Sequence, residues 1–330
     1  MYIQILQDVE VPVKFVKHSP RVLFLGMQGN FSVPPLHTLL QNGVEICAIV
    51  IPAAPKPGGD QLPILRKERS RLERSALPML NSSLQNNIVQ LAWQHQLPIW
   101  EVARMSDPSV VTTLASYRPD IICVACFSLR IPRIILNIPR LGCLNVHPSL
   151  LPANRGPEPL FWAFRQGSRK TGVSIHFMNE GMDTGDILAQ ASIDIPAGIS
   201  YAELEQQCAI RGAELLLQSV QALYEGHAIR TPQDEQRSSY QSFPNSQDFI
   251  VPVAEWSAEH VYTFVCGLSG WREPIKLLLD TEYVHIQQAI SYSHENIGIL
   301  PGKVYSREGD ILRIQCKKGW VAVVNPTASQ

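Results

Sequence analysis

The sequence predicts an α/β protein: an open, mostly parallel sheet flanked by helices, followed by a smaller β-rich domain. Two observations carry the first part. Short continuous apolar runs, at Val22–Leu25 and Ile46–Ile51, have the composition of strands buried on both faces, as parallel strands are. Helix-like segments alternate with such runs, which is the pattern of βαβ units. The second part rests on the short β-type runs beyond residue 249, separated by Gly, Asp and Asn turns.

The chain opens with "RVLFLGMQGNF", "PPLHTLLQNG" and "VEICAIVI", an apolar run, a helix-like segment and a second apolar run. A helix around Ile88–Gln94, a strand at Pro98–Trp100, a helix around Val110–Tyr117 and a strand at Asp120–Ala125 continue the alternation. "LGCLNVHPS" reads as a further strand that ends in polar residues, and open α/β sheets place their chemistry at the carboxyl ends of strands. "EPLFWAFRQG" then reads as a helix and "TGVSIHFM" as a strand. Tyr201–Tyr224 is a long helix with Gly226 near its end.

The polar stretch "RTPQDEQRSSYQSFPNSQDF" reads as a linker. After it, "SAEHVYTFVCGL" is helix-like, and "IKLLL", "YVHIQQAI", "GKVYSR", "ILRIQC" and "WVAVV" are strand-like, predicting a small β-barrel. The expected organisation is an N-terminal extension at 1–20, a catalytic domain at 21–228, a linker at 229–248 and a C-terminal domain at 249–330.

Composition limits the function. The 330 residues suit two domains, and 45% apolar against 17% charged residues belongs to an ordinary globular protein. A net charge of -1 excludes a global positive field that would draw nucleic acid or anionic membrane. Seven cysteines, an odd number in mostly apolar surroundings, fit a reducing compartment and predict a cytoplasmic protein. Met1–Pro20 mixes apolar and charged residues unlike a secretory signal, and no run approaches the roughly 20 apolar residues of a membrane span. Cys123 and Cys126 have CxxC spacing without a second Cys or His pair nearby, so they are read as core thiols and no metal is expected.

The segments that carry chemistry are "NVHPSLLPANRG", Asn145–Gly156, and "TGVSIHFMNEGMDTGDIL", Thr171–Leu188. They lie about one helix-plus-strand crossover apart, so both end on one edge of a parallel sheet. With these motifs the chain resembles the folate-dependent formyltransferases, with a layout like that of the methionyl-tRNA formyltransferases. The resemblance spans Arg21–Val324 and includes the opening sheet, the Arg155-Gly156 turn, the "PQDE" connector and the C-terminal domain.

The resemblance implies a Rossmann-like catalytic domain without a dinucleotide and an OB-like C-terminal barrel. "GMQGNF" agrees, because it lacks the G-x-G-x-x-G spacing. It further implies 10-formyltetrahydrofolate as co-substrate and Asn145, His147 and Asp183 as the catalytic set. "ACFSLRIP" corresponds to the pterin-facing loop, so Phe127, Leu129 and Ile131, with Ser149 of the S-L-L-P turn, are the folate candidates. "GMQGNFSVPPL" corresponds to the loop facing the acceptor, which with the RG turn makes Asn30, Phe31 and Arg155 substrate candidates. Here Met27, Gln28, Gly29 and Asn30 replace the family's threonine-proline-glutamate.

Residues 55–87 form a longer insert than the family has, locally basic through Arg66, Lys67, Arg69, Arg71 and Arg74. A basic loop in this place enters the tRNA acceptor arm in the methionyl-tRNA enzymes, which makes initiator Met-tRNA a partner through residues 66–74. A solvated helix is the alternative for this insert.

The chemistry asks specific things of the three residues. Attack of an amine on a formyl carbon creates an oxyanion, for which the Asn145 amide is the donor. His147 suits the proton relay between the attacking amine and the departing folate nitrogen. Asp183 orients that imidazole or a water. His176 either supports the Asp turn or touches substrate, and Asp186 reads as a cap. The most expected acceptor is the methionyl amine. Alternatives are an amino sugar or other small amine, hydrolysis of the formyl donor, or a non-catalytic folate or RNA binder.

Overall fold

In the computed structural model, residues 19–55, 61–69, 87–280 and 282–325 are described. Residues 1–18 of the 1–20 extension and the stretch 70–86, with Arg71 and Arg74 of the basic insert, lie outside the described residues.

The main sheet has eight strands: β1 (Arg21–Gly26), β2 (Glu45–Pro52), β3 (Ile64–Arg66), β4 (Ile99–Val102), β5 (Ile121–Ala125), β6 (Cys143–His147), β7 (Lys170–Phe177) and β8 (Ile187–Asp194). Their order is β3-β4-β2-β1-β5-β6-β7-β8. Pairings β1–β2, β1–β5, β2–β4 and β5–β6 are parallel. The chain runs outward from β1 through β2 to β4 and then returns to β5 on the other side of β1. That reversal is a topological switch point at the carboxyl ends of β1 and β5, the place where open α/β sheets bind ligands. Gly26 pairs with Ala125, and Ala125 pairs with Val146, so the three central strands end in register.

The central strands form because their side chains are apolar on both faces. Val22, Leu23, Phe24 and Leu25 are fully buried, as are Ile121, Ile122 and Cys123. Helices α1 (Val33–Gln41), α2 (Ile88–Gln94), α3 (Pro108–Ser116), α4 (Arg133–Leu136), α5 (Pro159–Arg165) and α6 (Tyr201–Tyr224) alternate with the strands. Local signals set their starts. Asn87 accepts from the Val89 and Gln90 amides ahead of α2, and Asp107 from the Ser109 amide ahead of α3, satisfying N–H groups that the first turn leaves unpaired.

Contacts group the chain into two compact units. One holds the residues up to Val146 with Ile175–Glu180 and Ala213–Arg230; the other holds His147–Ser174, Gly181–Gly212 and everything from Thr231. In the second unit the C-terminal strands form two sheets. One is β11-β10-β9, from β9 (Ile250–Pro252), β10 (Ile275–Leu279) and β11 (Glu282–Ile286). The other is β12-β15-β14-β13, from β12 (Gln288–Ser293), β13 (Val304–Glu308), β14 (Ile311–Gln315) and β15 (Trp320–Val324). Helix α7 (Ala258–Leu268) starts at Ser257, whose hydroxyl accepts from the His260 amide. Within this unit Phe161 of α5 packs 5.1 Å from the rings of both Phe249 and Trp271.

Three expectations are corrected. The run "YVHIQQAI" is two strands in different sheets, broken at Gln287, whose amide bonds Val324 O instead of continuing β11. Over Ile64–Arg66, where the helix alternative for the insert began, the chain is instead an edge strand: β3 pairs antiparallel with β4. There Lys67 is tied to Glu101 at 2.7 Å and Arg66 to Glu68 at 3.2 Å. The strand expected at Pro98–Trp100 runs on to Val102, because Glu101 and Val102 pair with Ile51 and Pro52.

The polar stretch after Arg230 is fixed along its length. Thr231 and Ile187 exchange amide bonds, Ser239 N–H donates to Pro152 O, and the amides of Arg155 and Gln241 donate to Ser239 O and Arg155 O.

Candidate active site

Two groups of polar side chains stand at the ends of β6 and β7. In the first unit Asn145 Nδ2 lies 3.1 Å from His176 Nε2, and His176 Nδ1 lies 2.8 Å from Phe177 O. A carbonyl only accepts, so Nδ1 carries the ring hydrogen. The Nε2 of the neutral ring then accepts, and Asn145 must turn its NH2 toward it. His176 is almost fully buried and fixes which way the Asn145 amide points.

In the second unit His147 is held at one ring nitrogen and faces a carboxylate at the other. Its Nε2 donates to Asn154 O at 3.0 Å, and its Nδ1 stands 3.7 Å from Asp183 Oδ2. That second separation suits an ion pair once the ring is protonated and is too long for a direct hydrogen bond. The two side chains are only 5% and 11% exposed, so little water screens them from each other.

The turns that present these groups are built from special backbone. Asn154 and Asp183 take positive φ of 55°, a conformation Asn and Asp tolerate better than other side-chain-bearing residues. Gly156, at φ 113°, brings its N–H to Asp183 Oδ2 at 2.8 Å. A Cβ there would lie 2.0 Å from Gln241 O, so the position needs glycine. A cis peptide joins Leu151 to Pro152. Ser174 Oγ donates to Ser149 O at 2.6 Å and accepts from the Leu151 amide, bracing the S-L-L-P turn.

The other sequence-predicted residues take varied places. Phe127 and Leu129 are half-buried against the sheet core, and Ile131 is buried in it. Residues 127–131 are neither helix nor strand, so their amides and carbonyls are not used in the ladder. The Ser149 hydroxyl donates to Ala153 O at 2.8 Å within its own turn. Asn30 is exposed, whereas Phe31 is buried in a 3-10 turn beside Ser32, whose hydroxyl donates to Ala125 O. Cys123 is buried and Cys126 is exposed. Burial pushes the Cys123 thiol well above its ordinary range.

Arg155, 6% exposed, is engaged by protein acceptors. It makes a two-pronged contact with Glu235 at 2.7 and 2.9 Å and donates twice to Gln233 Oε1. The Arg155 contact holds the Glu235 carboxyl below its ordinary range, by hydrogen bonding first and charge second. Sequence reasoning assigned no role to Gln233 or Glu235. Their one signal was the "PQDE" connector.

A doubly wound sheet with polar residues at its strand ends is the arrangement in which α/β enzymes place their chemistry. The formyl transferase family matches residues 69–220. Methionyl-tRNA formyltransferase of Syntrophus aciditrophicus (strain SB) is 36% identical over 239 residues, 72% of this chain and 69% of that protein. The enzyme of that name from Ruminiclostridium cellulolyticum is 27% identical over 306 residues, 92% of this chain and 90% of its own. This chain belongs to the formyltransferase family. Among solved structures, a Helicobacter canadensis N-formyltransferase with folinic acid and dTDP-3-aminofucose has a TM-score of 0.63 at 14% identity, covering 93% of this chain and 99% of that one. HypX of Aquifex aeolicus with tetrahydrofolic acid has a TM-score of 0.57 at 18% identity, and this chain spans 44% of its length.

Proposed function

We propose that this protein transfers a formyl group from 10-formyltetrahydrofolate to the methionyl amine of initiator Met-tRNA. The reading rests on the nearly buried His147, held between Asn154 O and the Asp183 carboxylate. The identity to enzymes named methionyl-tRNA formyltransferase supports the acceptor.

In this reading the amine attacks the formyl carbon, and the carbonyl electron pair moves to oxygen. Asn145 stabilises that oxyanion with an amide hydrogen, its partner hydrogen being given to His176. His147 accepts the proton shed by the attacking nitrogen on Nδ1, the nitrogen without a hydrogen while Nε2 donates to Asn154 O, and delivers it to the folate nitrogen as the carbonyl re-forms and the bond from carbon to that nitrogen breaks. Asp183 stabilises the imidazolium formed in between. The 127–131 loop, with peptide groups outside any ladder, suits the donors and acceptors of a pterin, with Phe127, Leu129 and Ile131 at its apolar side. Asn30 serves the acceptor. Arg155, engaged by Gln233 and Glu235, braces its own turn at residues 154–156.

Residues 21–228 then form the catalytic domain, 229–248 the linker and 249–330 the OB-like domain. The basic stretch 66–74 meets tRNA phosphates, and its Arg66 ends the edge strand β3. The seven cysteines, standing as thiols, support a cytoplasmic setting. The test is formyl transfer to charged initiator tRNA beside amino-sugar acceptors and a no-acceptor control. Transfer to the tRNA supports the reading. Transfer only to a small amine overturns the acceptor, and formate release without an acceptor overturns the transferase.

A further inference from the structure

We infer that Gln233 is a positioning residue, holding the Asp183 turn and Arg155 in one register so that the carboxylate faces His147. The inference rests on the reading above, in which His147 and Asp183 carry the proton relay.

The Gln233 amide makes every hydrogen bond that its chemistry allows. Its NH2 donates to Asp183 O and to Gly185 O, both at 2.7 Å. Its Oε1 accepts from Arg155 Nε at 3.1 Å and from Arg155 Nη2 at 2.8 Å. Two donors and two lone pairs are the full capacity of a primary amide. The arrangement fixes its orientation, since a flipped amide would set oxygen against two carbonyls and NH2 against a guanidinium.

Through those bonds one side chain joins both turns of the relay. The carbonyls of Asp183 and Gly185 belong to the turn that carries the carboxylate. Arg155 lies between Asn154, whose carbonyl takes the His147 Nε2 hydrogen, and Gly156, whose amide grips Asp183 Oδ2. Glu235 anchors the far side of the guanidinium, so the Arg155 end of the link is itself fixed. A 3.7 Å separation between His147 and Asp183 leaves little tolerance, because displacement of a reacting group by about 1 Å can lower a rate 10²-fold. Of the substrate and folate candidates the bonds of Gln233 reach Arg155, and none of them goes to residues 27–31 or 127–131.

The test is Gln233→Glu, which keeps acceptors for Arg155 and removes both donors to the Asp183 turn. Gln233→Met, which removes donors and acceptors at similar length, serves if the carboxylate prevents folding. Both are measured alone and combined with Asp183→Asn, with circular dichroism confirming the fold. The expected result is a fall in kcat of about 10- to 100-fold with KM for both substrates within about twofold. In the Asp183→Asn background the same change should have less than about a twofold effect, because the group being positioned is gone. An unchanged kcat in the folded variant, or an equal loss in both backgrounds, overturns the role of Gln233. Full activity of Asp183→Asn alone would instead overturn the reading of the relay on which it rests.

Discussion

Asn145 gives one amide hydrogen to His176 Nε2 at 3.1 Å, and His176 in turn gives its own to Phe177 O at 2.8 Å. The pair makes the direction of the Asn145 amide a property of the strand end and not of the ligand. If Asn145 is the oxyanion donor, removing its partner frees the amide to turn. His176→Ala should lower kcat about tenfold with little change in KM, and His176→Gln, which retains an acceptor, should recover part of the loss. Steady-state kinetics on the three proteins checks this, and equal kcat values would exclude His176 from the site.

Gly156 combines a φ of 113° with a Cβ position 2.0 Å from Gln241 O, and its amide binds the Asp183 carboxylate. Gly156→Ala forces either the turn or the Gln241 backbone to move. The expected loss is about 2 to 4 kcal/mol of stability, read from urea unfolding, with a fall in kcat out of proportion to any change in KM.

Glu158 is a stability switch with a defined sign. Burial raises its carboxyl above the ordinary 4.5, partly offset by the hydrogen bond it accepts from Tyr201 Oη at 3.0 Å. Glu205 is also raised, by burial first and by the Glu158 charge second. A raised carboxyl favours the fold while protonated. That contribution is complete below the unfolded value and is lost as pH climbs through the raised folded value. Glu158→Gln keeps an acceptor for Tyr201 and cannot ionise. Its Tm should exceed that of the parent at neutral pH, and the gap should close as pH falls toward 4.5. A gap that widens toward acid would contradict the assignment.

The elements legible in the sequence were those whose burial leaves a pattern. β1, β2 and β5 are continuous apolar runs because both faces of each are covered, and Asn145 and His147 stand out because polar residues close such a run. β3 and β9 were not legible: each has three residues, and β3 carries an exposed Leu65 and Arg66 with no alternation to detect. The break at Gln287 was hidden because strand-forming residues continue on both sides of it.

In the candidate site, the resemblance carried by the two motifs implied His147 and Asp183, but not what holds them. Arg155 contacts Gln233 and Glu235 across 78 and 80 residues, and polar contacts at that distance leave no periodicity in the chain. Arg155 entered as a substrate candidate through the RG turn of the resemblance. The structure adds its near-complete burial and its two acceptors, Gln233 and Glu235.

The most direct measurement is formyl transfer from 10-formyltetrahydrofolate to charged initiator Met-tRNA by the parent protein and by His147→Ala. The account predicts that the parent formylates the tRNA and that the folded variant loses about 10²- to 10⁴-fold in kcat/KM, the range expected for removing a general acid-base group. Equal turnover by the two proteins, or none by the parent with any amine, would contradict it.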